Sequence, residues 1–161
     1  MKYNNLAKAR SFGADFTFNY QVLPSLAIGG GYSYTDAKAQ YTEDQNDPNY
    51  MKYLPINATS YHNANWKIAW THKDVGVSLF GRYQSTRYYI TDGNGKAYQL
   101  WRLNVRSSLL KTKKWNLGMN AGIDNIFNYI DRTPFGKNRG TTSPGRTLYL
   151  SLNVKFQNKQ K

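Results

Sequence analysis

Thr147-Leu148-Tyr149-Leu150-Ser151-Leu152-Asn153-Val154-Lys155-Phe156 decides the fold. Leu148, Leu150, Leu152, Val154 and Phe156 take every second position, and polar residues or Tyr149 fill the others. In an extended chain successive side chains point to opposite faces, so the segment has one apolar face and one polar face. Its period of two rules out an amphipathic helix.

The same pattern recurs six times upstream. Its apolar phases are Ala14-Phe16-Phe18-Tyr20, Leu26-Ile28-Gly30-Tyr32-Tyr34, Ala64-Trp66-Ile68-Trp70, Val77-Leu79-Gly81-Tyr83, Trp101-Leu103-Val105-Ser107-Leu109 and Leu117-Met119-Ala121-Ile123. The mid-strand apolar positions hold no charge, whereas Lys67, Arg82 and Arg106 sit in the opposite phase. A soluble sandwich also alternates, but its apolar faces pack inward. Here Tyr20, Tyr32, Tyr34, Trp70, Tyr83, Trp101, Trp115 and Phe156 collect towards the strand ends. Aromatic residues do so where a barrel meets the membrane interfaces.

The connections alternate in length. Short turns are expected at Gln21–Ser25, His72–Gly76 and Thr112–Lys114, and longer polar links at 40–59, 90–97 and 129–145. Outer-membrane barrels have short periplasmic turns and long extracellular loops. The expected fold is therefore all-β: an antiparallel up-and-down meander of about seven long strands, a segment of a transmembrane β-barrel. Bacterial single-chain barrels have an even number of strands. Seven strands thus predict at least one more before Met1, and open strand edges predict that the piece alone aggregates or curls closed. Met1–Arg10 lacks the apolar stretch of a signal peptide, which points to a start further upstream.

Composition agrees. The 161 residues are 40% hydrophobic, too apolar for a disordered chain. The mean hydropathy is nevertheless −0.73, and no apolar run approaches the roughly 18 residues of a membrane helix. With no cysteine, disulfides and thiolate metal sites are absent. The formal net charge of +13 suits nucleic acid, anionic lipid or an anionic ligand, or no partner at all.

Several stretches resemble a known family. Asp124-Asn125-Ile126-Phe127-Asn128 resembles the element on the penultimate strand of TonB-dependent outer-membrane receptors. Ser143-Pro144-Gly145-Arg146, leading into 147–156, is similar to their last strand, which begins Pro-Gly-Arg and ends in an aromatic such as Phe156. Leu23-Pro24 and Leu54-Pro55 are similar to family habits too. In one departure, five residues, 157–161, follow Phe156. The resemblance implies that 1–156 is the C-terminal part of a barrel, that 157–161 is a polar tail, and that the signal peptide and plug domain lie outside the chain. It implies a bacterial outer-membrane location and active uptake of a scarce nutrient: siderophore-iron, haem, cobalamin or a glycan. The implied partners are outer-membrane lipid and lipopolysaccharide, the N-terminal barrel and plug of the same receptor, and TonB through that plug. A fragment without its plug is not expected to transport.

Candidate ligand-binding residues at the outer mouth are Tyr41, Tyr50, Tyr53, Tyr61, His62, Tyr88, Tyr89, Arg132 and Arg139, because Tyr and Arg favour recognition surfaces and Arg suits anions. Asp124, Asn125, Phe127, Asn128, Pro144, Gly145, Arg146 and Phe156 are expected to be structural. No metal or cofactor site is expected. His62 and His72 lie about 33 Å apart along one strand, too far to share an ion. In the loop Glu43-Asp44-Gln45-Asn46-Asp47-Pro48-Asn49, Pro48 breaks the calcium-loop spacing. Gly29-Gly30-Gly31 lacks the following Lys and helix of a phosphate cradle and reads as a strand where something approaches closely. Asp92-Gly93-Asn94-Gly95 reads as a turn. With no catalytic triad and no Cys nucleophile, the chain is not expected to be an enzyme. Two other readings remain: a small stand-alone structural or adhesive barrel, and a soluble basic β-rich module binding nucleic acid through basic and aromatic residues. Arg and aromatic residues fall in opposite phases, which argues against nucleic acid.

Overall fold

The computed structural model describes residues 8–42, 44–89, 94–130 and 145–156. They form one antiparallel sheet. Its strands are β1 (Lys8–Leu23), β2 (Leu26–Gln40), β3 (Leu54–Pro55), β4 (His62–His72), β5 (Val75–Gln84), β6 (Tyr98–Lys111), β7 (Trp115–Asp124) and β8 (Thr147–Phe156). Seven long strands pair in chain order, and the short β3 pairs with the loop end of β2. β1 and β8 are the two edges; among the described residues they do not pair, so the sheet stays open rather than curling closed.

The register confirms that all seven apolar phases share one face. Tyr20 faces Ile28, which faces Ile68; Ile68 faces Leu79, then Leu103, Ile123 and Leu148 in successive strands. This face is uncovered: Leu148 is 74% exposed and Leu150 68%. The only buried hydrophobic residue among those described is Ala39. A soluble domain does not leave so large an apolar surface bare, so a soluble β-rich module lacks the second layer it needs.

The opposite face is polar. It carries Lys67, Arg82, Arg102, Arg106 and Lys155 against Asp15 and Asp124, among many Asn, Ser and Thr. A hollow of about 730 Å³ on this side is lined by Asn104, Arg106, Asn120, Asn153 and Lys155. The polar face is thus the inner wall. Phe80, an apolar residue in the polar phase, lies under the Lys67 ammonium, 5.5 Å from its ring centre.

The strands run further than their alternation shows. β1 reaches Leu23, leaving only Pro24 and Ser25 as the turn, and Lys73–Asp74 joins β4 to β5. Both register shifts lie near the short turns, at Val22 and Leu109, each the additional residue of a β-bulge. The bulge at Leu109 keeps Leu110 opposite Leu117, so apolar pairing continues to the turn.

Glycine lets large side chains lie flat across the ladder on both faces. Trp66 lies over Gly81 outside and meets Trp101 edge-on at 5.1 Å. Tyr149 lies over Gly122 inside, and its hydroxyl accepts a bond from Asn104 Nδ2 at 2.8 Å. Gly29, Gly30 and Gly31 face Asn19, Phe18 and Thr17, which explains the triple glycine as space for three opposing side chains.

A methyl added at Gly122 would stand 2.7 Å from the Leu103 carbonyl oxygen, which belongs to the ladder and cannot yield. Gly122→Ala should therefore cost about 1–3 kcal/mol in denaturant unfolding from detergent micelles. Gly118→Ala, whose nearest neighbour lies at 3.7 Å, should change stability little; equal losses at both sites would refute the crowding argument.

Candidate functional site at the outer mouth

The described parts of the links at 40–59 and 85–97 meet at one end of the sheet and are laced together. Ser60 bridges to Arg87, and Arg87 to Gly95. The Ala58 amide donates to the Tyr88 carbonyl at 2.8 Å, and Tyr88 donates back to Thr59 at 3.2 Å. The loop after β2 is held by its own carboxylates: Asp44 caps Asn46, and Asp47 caps Asn49. Those oxygens serve turns rather than a common centre, and no metal-holding cluster is found among the described residues.

At this end a polar and aromatic group forms on the inner wall. Tyr98 Oη donates to Gln84 Oε1, Gln84 Nε2 to Ser60 Oγ, and Ser60 Oγ to Asn63 Oδ1. Tyr98 and Tyr129 stack in parallel, 5.0 Å apart. The Arg87 guanidinium lies 5.1 Å from the Tyr98 ring and 5.9 Å from Tyr89, and the residue is 6% exposed. Arg87 is thus buried beside two tyrosine rings, and its guanidinium helps to fix the Tyr98 ring in place.

The expected mouth residues do not come together as one group. Tyr88 and Tyr89 follow Arg87 in the chain, and the Tyr89 ring lies 5.9 Å from its guanidinium. Tyr41 knits the loop instead, donating to the Pro55 carbonyl and accepting from the Asn57 amide, each at 3.1 Å. Burial pushes the Tyr41 hydroxyl pKa above its usual value. Tyr50 sits in the turn that Asp47 begins. Tyr53 lies under Arg10, and Tyr61 stacks on Tyr34 of the apolar face. His62 faces Tyr34 across the ladder, and its Nδ1 lies 2.6 Å from Tyr32 Oη. It therefore belongs to the outer aromatic girdle and not to the inner mouth, because it shares the parity of Ala64 and Trp66. His72 lies on the same face against Trp70. Arg132, Arg139 and Pro144 lie outside the described residues, as do Asp92 and Gly93 of the turn at 92–95. Arg87, Gln84, Tyr98 and Tyr129 escaped the sequence reading; Arg87 adjoins the tyrosine pair 88–89, a signal that pointed to it.

The motif after β7 works as a latch. Asn125 has φ 53° and is 8% exposed. Its side chain donates to the Tyr129 carbonyl at 2.6 Å and accepts from the Tyr129 amide at 2.8 Å. Asn128, with φ 55°, accepts from the Arg146 amide at 2.8 Å, tying the turn to the approach of β8. Gly145 leaves room for that carboxamide. Asp124 ion-pairs with Arg102 across the ladder, and Phe127 packs edge-on against Trp101 outside. Phe156 stands opposite Trp115 at the turn end.

A lipid-exposed apolar face, a polar inner wall, aromatic rims and alternating short and long connections define a wall segment of an outer-membrane-type β-barrel. The family described as TonB dependent receptor-like, beta-barrel, matches residues 1–126, and the chain belongs to that family. Among solved structures the sheet is similar to the unliganded ferric citrate transporter FecA, at 19% identity and TM-score 0.71, covering 91% of this chain. It is also similar to the ferric enterobactin receptor PfeA of Pseudomonas aeruginosa, at 18% identity, TM-score 0.66 and 95% coverage. The copper transporter OprC matches at 18% identity, TM-score 0.62 and 92% coverage. The chain spans about a quarter of each: 24%, 23% and 24% of their lengths respectively. No curated protein sequence matches it.

Asn125→Ala removes two bonds to Tyr129 and forces alanine into the left-handed region, an expected loss of about 2–4 kcal/mol. Asn125→Gly keeps the backbone conformation and should lose about 1–2 kcal/mol. Unfolding midpoints read both; a glycine variant as damaged as the alanine one would dispose of the backbone half of the account.

Proposed function

We propose that the chain is the C-terminal wall of a TonB-dependent receptor in the bacterial outer membrane. In this reading preceding strands pair with β1 and close on β8, a plug fills the lumen and contacts TonB, and 157–161 form a polar tail. The receptor takes up a scarce nutrient, of the siderophore-iron, haem, cobalamin or glycan kinds, and is not an enzyme. The observation that carries the reading is the continuous uncovered apolar face backed by a basic inner wall. Similar solved structures bear the names of ferric citrate, ferric enterobactin and copper proteins, which favours a metal complex over a glycan.

Ligand contact falls to the inner mouth: Tyr89, Tyr98 and Tyr129, beside the buried Arg87, with Tyr88, Arg132 and Arg139 on the same loops. The stacked pair supplies flat faces for aromatic or planar groups. The sequence-derived candidates Tyr41, Tyr53, Tyr61 and His62 hold the loops and rim that position this group.

Two measurements test the reading. Immunodetection in outer membranes with an antibody against residues 40–59 should give a band several times heavier than 18.5 kDa. A band near that mass would favour a stand-alone barrel, and one in the soluble fraction would end the barrel reading. The full receptor should bind at least one of ferric citrate, a ferric catecholate, haemin and cyanocobalamin in calorimetric titration. Tyr129→Leu should weaken that binding about tenfold, the effect of losing one hot-spot contact. Unchanged affinity would move the site away from this wall.

A further inference from the structure

Charge on the inner wall is graded from the loops to the short turns. The loop half holds Asp15 and Asp124 beside Lys67, Arg82 and Arg102, and Asp124 is taken by Arg102. From Arg102 towards the turns the inward positions hold only cations and neutral residues. Arg106 lies on β6, Lys111 at its end and Lys155 on β8, with Asn104, Asn116, Asn120 and Asn153 among them. The turn between β4 and β5 adds Lys73 and Asp74, and Asp74 is bound by Lys111. Among the described residues this leaves Lys73, Arg106 and Lys155 without a carboxylate.

These three cations line the hollow of about 730 Å³, together with Asn104, Asn120 and Asn153. Arg106 faces Gly76 across the ladder and lies against it: a Cβ at Gly76 would stand 2.6 Å from Arg106 Nε. The absent side chain gives the guanidinium room to lie along the wall. Asn120, the ladder partner of Arg106, accepts from Asn104 Nδ2 at 2.7 Å through its Oδ1. Its carboxamide thus gives its oxygen to the wall and keeps its N–H donors. Guanidinium, ammonium and amide N–H are the donors that carboxylate oxygens take. Lys155 stands two strands from Arg106 and four residues nearer the turn end than Ser151, which shares the Arg106 row. At about 3.3 Å per residue that is an offset of about 13 Å along the strand. Such a span suits a solute with several anionic groups better than one small ion.

We propose that this hollow is an exit subsite for a multiply anionic solute. Arg106 and Lys155 hold its carboxylates or other oxygen anions, and Asn120, on the strand between them, donates to the same groups. The inference rests on the receptor reading and names the class of nutrient within it: an anionic metal chelate rather than cobalamin or a neutral glycan. The gradient supplies direction, because carboxylates oppose an anion only in the loop half and the turn half attracts it. A cleft lined by one sign of charge raises the local concentration of its counter-ion about tenfold or more. The plug of that reading must leave the hollow open.

The test reads access and potential in the hollow of the full-length receptor, purified in mild detergent. Asn153→Cys places a thiol there, in a stretch of chain that has no cysteine of its own; the receptor without this substitution gives the background. The probes are an anionic sulfonatoethyl and a cationic trimethylammonioethyl methanethiosulfonate, each rate divided by that with a free thiol. The anionic reagent should be favoured about tenfold, and adding R106Q/K155Q should remove the preference. Millimolar citrate should slow the labelling, and glycerol should not. The proposal falls if the thiol does not react, which would mean that the plug fills the hollow. It falls equally if the cationic reagent is as fast, if R106Q/K155Q keeps the preference, or if citrate gives no protection. The ratio and the citrate protection in N153C alone decide even where the triple variant does not fold. Heat-modifiable gel mobility reports separately on the barrel: its absence sinks the membrane reading, whereas its presence without an anion preference sinks only this site.

Discussion

A backbone that crosses hydrocarbon finds no water, so each N–H and C=O must be paired within the protein. The antiparallel ladder meets that demand from β1 to β8, and the rest of the structure depends on it. Its two bulges lie beside the short turns, at the ends of the ladder. The edges of β1 and β8 are the places where the demand is still open.

Once the ladder is fixed, parity assigns each side chain to lipid or lumen, and the two faces solve different problems. Outside, dispersion and aromatic contacts act without a packed core; Trp66 over Gly81, then Trp101 and Phe127, form a continuous aromatic strip. Inside, charge is tolerated because the wall is wet. Arg102 pairs with Asp124, Asn104 bonds both Asn120 and Tyr149, and Lys67 covers Phe80. Glycine serves both faces in one way, by giving a bulky cross-strand neighbour room to lie down.

Beyond the membrane the ladder gives way to side-chain ties. The asparagine latch at 125–128 holds the approach to β8, and Tyr41 joins the end of β2 to β3. The inner mouth is assembled from the ends of β5 and β6 and the segments at 85–89 and 125–130. Strand stagger decides which of these meet.

The seven strands, their apolar phases and the short turns were legible in the sequence. Period two is a local property, so the alternation alone assigns each residue to a face. His62 reads as a mouth residue from its place next to a loop, whereas its parity with Ala64 sets it on the apolar face. The grouping of Arg87 with Tyr98 and Tyr129, the pairing of β3 with β2, and the facing of Arg10 by Lys38 were not legible. Each depends on register between segments distant along the chain. Composition and alternation thus determined, by themselves, an all-β meander with one apolar and one polar face. Only the tertiary structure decided which loop residues converge, because convergence depends on the stagger of neighbouring strands, and no single strand carries that information.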